Sequence, residues 1–263
     1  MKFDRVMVPV DGSIASKIAV ELAVNSAGTF ATHLTFVYVI DEVELNYGSM
    51  DANEYYLRLK MEGELTLDSA AKLASEKGID YETVMKRGIP SQVLVELTKE
   101  QDMVIMAISG KSGLASGRIG TIARKTIENS FCPVLTLKSG SSKITDILLP
   151  VYNENVAAID VAIETARRIN GRITVMSVKS KKNPDPVSIA NAVAEKCSAA
   201  NVDVDTCITE GSPLDAMVGE SGKYDLIVMG VQKAGVLKNI LHGGLTERVV
   251  MMSSCPVTVV RDV

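Results

Sequence analysis

The chain repeats itself, and the repeat limits the folds open to it more than any other feature. Asp102-Met103-Val104-Ile105-Met106 returns as Asp225-Leu226-Ile227-Val228-Met229. Cys132-Pro133-Val134-Leu135 returns as Cys255-Pro256-Val257-Thr258, and Gly88-Ile89-Pro90 as Gly211-Ser212-Pro213. Each pair is 123 residues apart (225 less 102, 255 less 132, 211 less 88). An earlier landmark, Arg5-Val6-Met7-Val8-Pro9-Val10, matches Asp146-Ile147-Leu148-Leu149-Pro150-Val151 at a spacing of 141. The first copy therefore holds 18 more residues between these landmarks (141 less 123), and Asp41 to Leu65 is the stretch expected to contain them. A fixed internal period of this kind means one structural unit built twice. The Gly/Ser-rich run Lys138-Ser139-Gly140-Ser141-Ser142-Lys143 suits a short flexible linker, dividing the chain into domains 1–140 and 143–263.

Each copy alternates short apolar runs with helical patterns. In the first, Arg5–Val10 is followed by Ala15, Ile18, Ala19, Leu22, Ala23, Ala27 and Phe30 at helical spacing. Leu34–Ile40 is the next apolar run, and a long helix is expected from about Ala52 to Lys77, stopped by Gly78. A strand at Asp80–Met85, a helix at Ser91–Glu100, a strand at Met103–Ile108, a helix at Thr121–Ser130 and a strand at Val134–Leu137 complete the unit. Strands alternating with helices imply a parallel sheet with helices on both faces. Met103-Val104-Ile105-Met106-Ala107-Ile108 shows no polar alternation, as befits a strand covered on both faces. The expected fold is α/β: two tandem, doubly wound, parallel five-stranded sheets, open and Rossmann-like or flavodoxin-like.

Charge and cysteine usage narrow the function classes. With 28 basic and 32 acidic residues the net charge is −4, which gives no general attraction to nucleic acid or to an anionic membrane. No apolar stretch approaches a membrane span, and Met1-Lys2-Phe3-Asp4-Arg5 is not a signal peptide, so the expected location is cytoplasmic. Cys132, Cys197, Cys207 and Cys255 form no Cys-x-x-Cys pair, and His33 and His242 are the only imidazoles, so no zinc cluster reads out. Cys132 and Cys255 precede prolines at the start of apolar runs and read as buried structural thiols.

In an open parallel sheet, ligands bind beyond the carboxyl ends of the strands, where the strand order reverses. Two loops of the first copy sit there. One is Pro9-Val10-Asp11-Gly12-Ser13; the other runs from Ser109 to Thr121 and holds Gly110, Gly113, Gly117 and Gly120 with Lys111 and Arg118. Glycines admit close backbone approach to an anion, and the helix that follows offers unpaired N–H groups and a positive dipole end. On composition alone, a phosphate cradle and a surface loop ending in a helix cap at Thr121 are equally compatible with this run. Asp11 or Ser13 can likewise serve only to cap the first helix. Gly110-Lys111-Ser112 mimics the end of a Walker A loop, but that motif requires a glycine five residues before Gly110, where Ile105 stands. Gly-x-Gly-x-x-Gly is also missing after the first strand, so a dinucleotide site has no support.

At these residues the chain resembles the universal stress protein family, and the resemblance covers both copies. Nucleotide-binding members carry Gly, two residues, Gly, nine residues, then Gly followed by Ser or Thr. Here the frame reads Ala107, two residues, Gly110, nine residues, Gly120-Thr121, with alanine at the first glycine. Val8-Pro9-Val10-Asp11-Gly12-Ser13, Tyr38-Val39-Ile40-Asp41 and the Cys-Pro-Val run are similar to the family's other landmarks. The resemblance implies a site for ATP, ADP or AMP formed by Pro9, Val10, Asp11, Val39, Ala107, Gly110, Lys111, Arg118, Gly120 and Thr121. In it Asp11 accepts hydrogen bonds from ribose or base. Pro9 and Val39 line the adenine, Val39 partly through its backbone, and Gly110, Gly120 and Thr121 hold phosphates. Asp11 is also a candidate to help hold magnesium if a triphosphate binds.

The second copy departs from the pattern. Its frame reads Gly230, two residues, Lys233, nine residues, Gly243-Gly244, and Tyr152 stands in place of Asp11. The expectation is therefore an adenine-nucleotide-binding stress or regulatory protein that uses its N-terminal copy. The two copies would pair within the chain, two chains would associate as a homodimer, and a regulatory protein partner remains to be named. No catalytic residues are assigned, because no histidine pairs with a nucleophile and no base or water-positioning group stands near the phosphate loop. A slow ATP hydrolase and a nucleotide-free assembly module are the alternatives.

Overall fold

The computed structural model describes residues 3–28, 32–43, 52–110, 119–138, 143–152, 156–180, 183–231 and 244–261. The chain divides into two compact units, Phe3–Gly140 and Ser141–Val263.

The N-terminal unit runs β1 (Arg5–Pro9), α1 (Ile14–Ser26), β2 (His33–Asp41), α2 (Ala52–Glu76), β3 (Asp80–Gly88), α3 (Pro90–Leu97), β4 (Met103–Ala107), α4 (Thr121–Asn129) and β5 (Val134–Leu137). Its strands lie parallel in the order β3-β2-β1-β4-β5. The order reverses at β1. Right-handed crossovers then place α1 and α2, which touch, on one face, and α3 and α4, which also touch, on the other. Val6, Met7 and Val8 of β1 and Val104 of β4 are wholly buried, as a strand covered on both faces requires.

The C-terminal unit runs β6 (Asp146–Val151), α5 (Val156–Ile169), β7 (Arg172–Lys179), α6 (Pro186–Ala199), β8 (Asp203–Glu210), α7 (Pro213–Glu220), β9 (Leu226–Val231), α8 (Leu245–Met252) and β10 (Val257–Arg261). Its order, β8-β7-β6-β9-β10, is the same doubly wound pattern.

The repeated landmarks have repeated jobs. Asp102 Oδ2 accepts the backbone N–H groups of Asp4 and Arg5, both at 2.9 Å, tying the start of β4 to β1. Asp225 Oδ2 does the same between β9 and β6, accepting from Thr145 N–H at 2.9 Å, Asp146 N–H at 3.0 Å and the Thr145 hydroxyl at 2.8 Å. Burial alone would push the Asp225 carboxyl up, but these three bonds outweigh it and hold it below the ordinary aspartate range. Thr98 and Ser221, another pair 123 residues apart, accept the N–H of Phe131 at 3.1 Å and of Ser254 at 3.0 Å. Each bond fixes the turn that leads into the last strand of its unit.

The ladders also place the surplus residues. The spacing between equivalent positions is 141 at Arg5 and Asp146, 139 at His33 and Arg172, and 123 at Asp80 and Asp203. Two of the 18 extra residues therefore precede β2, and 16 fall between β2 and β3. Much of that surplus is helix, since α2 has 25 residues and α6 has 14. Several boundaries differ from the sequence reading by a residue, and two by three residues. β3 continues to Gly88 because its ladder with β2 runs on to Asp41, and α3 stops at Leu97, where Thr98–Glu100 tightens into a 3-10 turn.

Candidate functional site

A cleft of about 490 Å³ lies at the carboxyl ends of β1, β2 and β4, where the strand order of the N-terminal unit reverses. Its base comes from the ends of the strands themselves: Pro9 at the end of β1 with Val10 after it, Val39 in β2, and Met106 and Ala107 in β4.

The β1 side is fixed by a sequence of short-range bonds. Val10 N–H donates to the Val37 carbonyl at 2.8 Å. Gly12 follows with φ +80°, a left-handed turn that glycine adopts without strain. Ser13 caps α1, its hydroxyl accepting the Ser16 N–H at 3.1 Å. Capping is thus the work of Ser13. Asp11 supports it with one oxygen only, Oδ1, which accepts the Ser13 N–H at 3.0 Å. The other oxygen, Oδ2, points across the cleft at Gly110. A Cβ added to Gly110 would stand 2.5 Å from it. A side chain there would make the carboxylate turn aside, so glycine lets Asp11 Oδ2 keep this position.

The β4 side ends in a helix without a side-chain cap. Gly120 is the N-cap of α4, and Arg124 N–H makes the first helical bond, to the Gly120 carbonyl at 2.9 Å. The N–H groups of Thr121, Ile122 and Ala123 consequently have no partner within the helix, and the positive end of the helix dipole faces the cleft that these residues line. Gly120 N–H donates to the Ile108 carbonyl at 2.8 Å, which pins the start of α4 to the end of β4. A Cβ at Gly120 would meet that carbonyl oxygen at 3.3 Å, close enough to strain the junction. Thr121 lies one residue inside the helix, so the cap position expected for it belongs to Gly120, and its exposed side chain is left at the mouth of the cleft.

The third wall comes from β2 and α2. Val37 faces β1, as its bond from Val10 shows, and the backbone period of two turns Val39 to the same side. The last β1–β2 pair is Pro9 with Val37, so the N–H and carbonyl of Val39 face the cleft where β1 has ended. α2 crosses over β2 at Gly63. A Cβ there would lie 2.7 Å from the Tyr38 ring, so glycine lets the helix close on the strand.

Of the residues expected from sequence, Pro9, Val10, Asp11, Val39, Ala107, Gly110, Gly120 and Thr121 line this one cleft. Lys111 and Arg118 lie outside the described residues. Ser16, Asp41 and Leu94 line it as well and were not singled out. Ser16 was legible as the third residue after the cap Ser13. Among the described residues no group of three or more His, Cys, Asp or Glu side chains is placed to hold a metal ion. The carboxylates among the residues lining the cleft are Asp11 and Asp41.

The C-terminal unit keeps part of this arrangement. Gly244 is the N-cap of α8, again with no side-chain cap. The place of Asp11 is taken by Tyr152, which is 45% exposed. Lys233, His242 and Gly243 lie outside the described residues.

Among the described residues no helix is long and apolar enough to cross a membrane. A protein-family model described as the universal stress protein family matches residues 2–138 and 189–261. A universal stress protein of Methanocaldococcus jannaschii is 33% identical over 141 residues, covering 52% of this chain and 82% of its own length. One from Mycobacterium bovis is 24% identical across 98% of this chain and 97% of its own. In the fold comparison, the crystal structure of a universal stress protein from Archaeoglobus fulgidus superposes with a TM-score of 0.82 at 19% identity, over 99% of this chain and 97% of that one. The unmatched stretch between the two family segments includes β6, α5 and β7, where Tyr152 replaces the aspartate. With matches in both halves of a duplicated α/β chain, this protein belongs to the universal stress protein family.

Proposed function

We propose that the N-terminal unit binds an adenine nucleotide, ATP, ADP or AMP, and that the chain acts in a stress response or in regulation by changing its partners when the nucleotide is bound. The observation that carries this reading is the pairing, in one cleft, of an oriented carboxylate and a bare helix N-terminus. Asp11 Oδ2 is presented to a ribose hydroxyl or base N–H, while the N–H groups at Thr121 to Ala123 are presented to phosphate oxygens. An anion at such a terminus gains both hydrogen bonds and the dipole. The backbone of Val39 supplies the acceptor and donor that a base edge needs, between the apolar side chains of Pro9 and Ala107.

Magnesium, where a triphosphate is bound, would be held chiefly by the phosphates and water, with Asp11 as its protein ligand. The chain's own residues bind and orient the nucleotide. No residue of the cleft is assigned as a base for hydrolysis, so turnover of ATP is expected to be slow or nil. Pairing of the two units, a homodimer, a cytoplasmic location and a regulatory partner belong to the same proposal.

The test is direct. Protein purified without added nucleotide is denatured, the released small molecules are identified by mass spectrometry, and the refolded, nucleotide-free protein is titrated by calorimetry. One adenine nucleotide per chain is the expected result. No nucleotide in the extract together with no heat on titration with ATP, ADP or AMP would overturn the reading.

A further inference from the structure

The geometry points to a C-terminal unit that fills its own site: Asn183 occupies, at the end of β7, the place that a base edge takes at the end of β2. This rests on the nucleotide reading of the N-terminal cleft for the identity of the displaced ligand, and on the C-terminal unit alone for the obstruction.

The ladders set the equivalence. His33 corresponds to Arg172, so Tyr38 corresponds to Ser177, Val39 to Val178 and Asp41 to Ser180. In the N-terminal unit the Val39 backbone faces the cleft. In the C-terminal unit the Val178 carbonyl accepts a hydrogen bond from Asn183 Nδ2 at 3.1 Å, and the same nitrogen reaches the Ser177 hydroxyl at 3.0 Å. The backbone holds the amide there. Ser180 N–H donates to the Asn183 carbonyl at 3.0 Å, and Asn183 N–H donates back to the Ser180 carbonyl at 3.1 Å. Asn183 also donates from its N–H to the Ser180 hydroxyl at 3.2 Å. Asn183 is 2% exposed, so its amide meets the Val178 carbonyl in the interior.

A planar amide with two N–H donors has the same donor chemistry as the exocyclic amino group of adenine. Its other end argues that those donors are why it is there. Asn183 Oδ1 is buried without a hydrogen-bond partner, a state that folded proteins ordinarily avoid. The side chain accepts an orphaned oxygen in order to place its nitrogen on Val178 and Ser177. Loss of binding in this unit is therefore an occupied subsite as well as a departed loop sequence.

Hydrogen–deuterium exchange on the full chain tests this, with adenosine as the probe because it carries the base without the phosphates. In the wild type, millimolar adenosine should slow exchange at 37–41 and leave 177–183 unchanged. Asn183→Asp keeps the shape but replaces both donors with a carboxylate facing a carbonyl, and should speed exchange at 177–183 at least tenfold. Asn183→Gly, checked for an unchanged fold by circular dichroism, should gain adenosine-dependent protection at 177–180. Adenosine protection of the wild-type β7 end, no acceleration in Asn183→Asp, or no gained protection in Asn183→Gly would each overturn the proposal. Absence of protection at 37–41 in the wild type would instead sink the nucleotide reading of the N-terminal cleft, leaving the Asn183→Asp result to stand on its own.

Discussion

At the end of β2 the Asp41 carboxylate accepts the Val43 N–H at 2.8 Å, and the strand's last backbone groups face an open cleft. At the end of β7 the chain doubles back within three residues, and Asn183 is bonded to the strand it has just left. The two strands are equivalent in order, direction and register. What differs is the stretch that follows: 16 residues longer in the first unit, ending in a helix 11 residues longer. A sheet of this type supplies outward-facing backbone groups at every strand end. The connection after the strand decides whether they stay available. Two units of one fold can thus differ at the end of an equivalent strand while sharing strand order and register.

Substitutions in the N-terminal cleft should give the largest effects on this contrast. Gly110→Val drives a branched side chain into Asp11 Oδ2 and into the path of the phosphates. It removes the carboxylate's alignment and the close backbone approach together, each worth roughly 1.5–3 kcal/mol, so ATP binding should weaken at least about a hundredfold. Thr121→Ala removes one hydroxyl from the mouth of the cleft and should weaken binding roughly ten- to a hundredfold. Gly244→Ala, at the position matching Thr121 in the other unit, should leave the affinity within about twofold. Calorimetry of the three variants side by side decides the matter. An equal loss in Gly244→Ala would show the two units to be functionally alike.

The next effect is on stability and concerns the staples at the strand starts. Asp225 accepts three bonds and Asp102 two, so Asp225→Asn should destabilise its unit more, by about 2 kcal/mol in urea denaturation at pH 7. The Asp225 carboxyl is held below its ordinary value in the folded chain. Its contribution is therefore complete above the unfolded-state value of about 3.9 and is lost as pH falls through the lower folded value. The gap between wild type and Asp225→Asn should close in that acid range. A gap that does not narrow at all as pH falls below about 3.9 would mean the carboxylate is not its source.

The smallest effect separates the cysteines. Burial pushes the Cys132 and Cys197 thiols up to about 11, for Cys132 against a hydrogen bond from Ser130 that pulls the other way. Neither should react with a disulfide reagent at pH 8 in the folded protein on the time scale of minutes, whereas the partly exposed Cys207 should. Four thiols should react in denaturant. Rapid labelling of Cys132 or Cys197 in the native state would show that one unit opens more readily than its packing implies.

The sequence disclosed the fold because its signals are local and redundant. Apolar runs, a helix-stopping Gly78 and landmarks 123 residues apart each pointed to the same βα units. The cleft was legible where the chain itself brings residues together, as at Pro9 to Ser13 or Gly120-Thr121. It was less so where three-dimensional approach decides. Nothing in the string said that Gly110 stands against Asp11 Oδ2, an approach across about a hundred residues. Which of Asp11 and Ser13 caps α1 was likewise open until the bond directions were seen. At Asn183 a signal existed, since Asn183-Pro184 marks a turn after an apolar run. It could announce a reversal of the chain but not which carbonyl the amide would meet.

The bond between Gly120 N–H and the Ile108 carbonyl has a consequence for how such chains change over generations. It ties the end of β4 to the start of α4 across the eleven residues 109 to 119. A backbone bond of this kind makes no demand on the side chains between its two ends. Doubling the length of such a loop adds only about 0.6 kcal/mol of closure entropy. Selection can therefore exchange, lengthen or discard the contents of that segment as a cassette while the fold that displays it is inherited intact. After a duplication, one copy can keep its cassette for a ligand while the other drifts toward a new role.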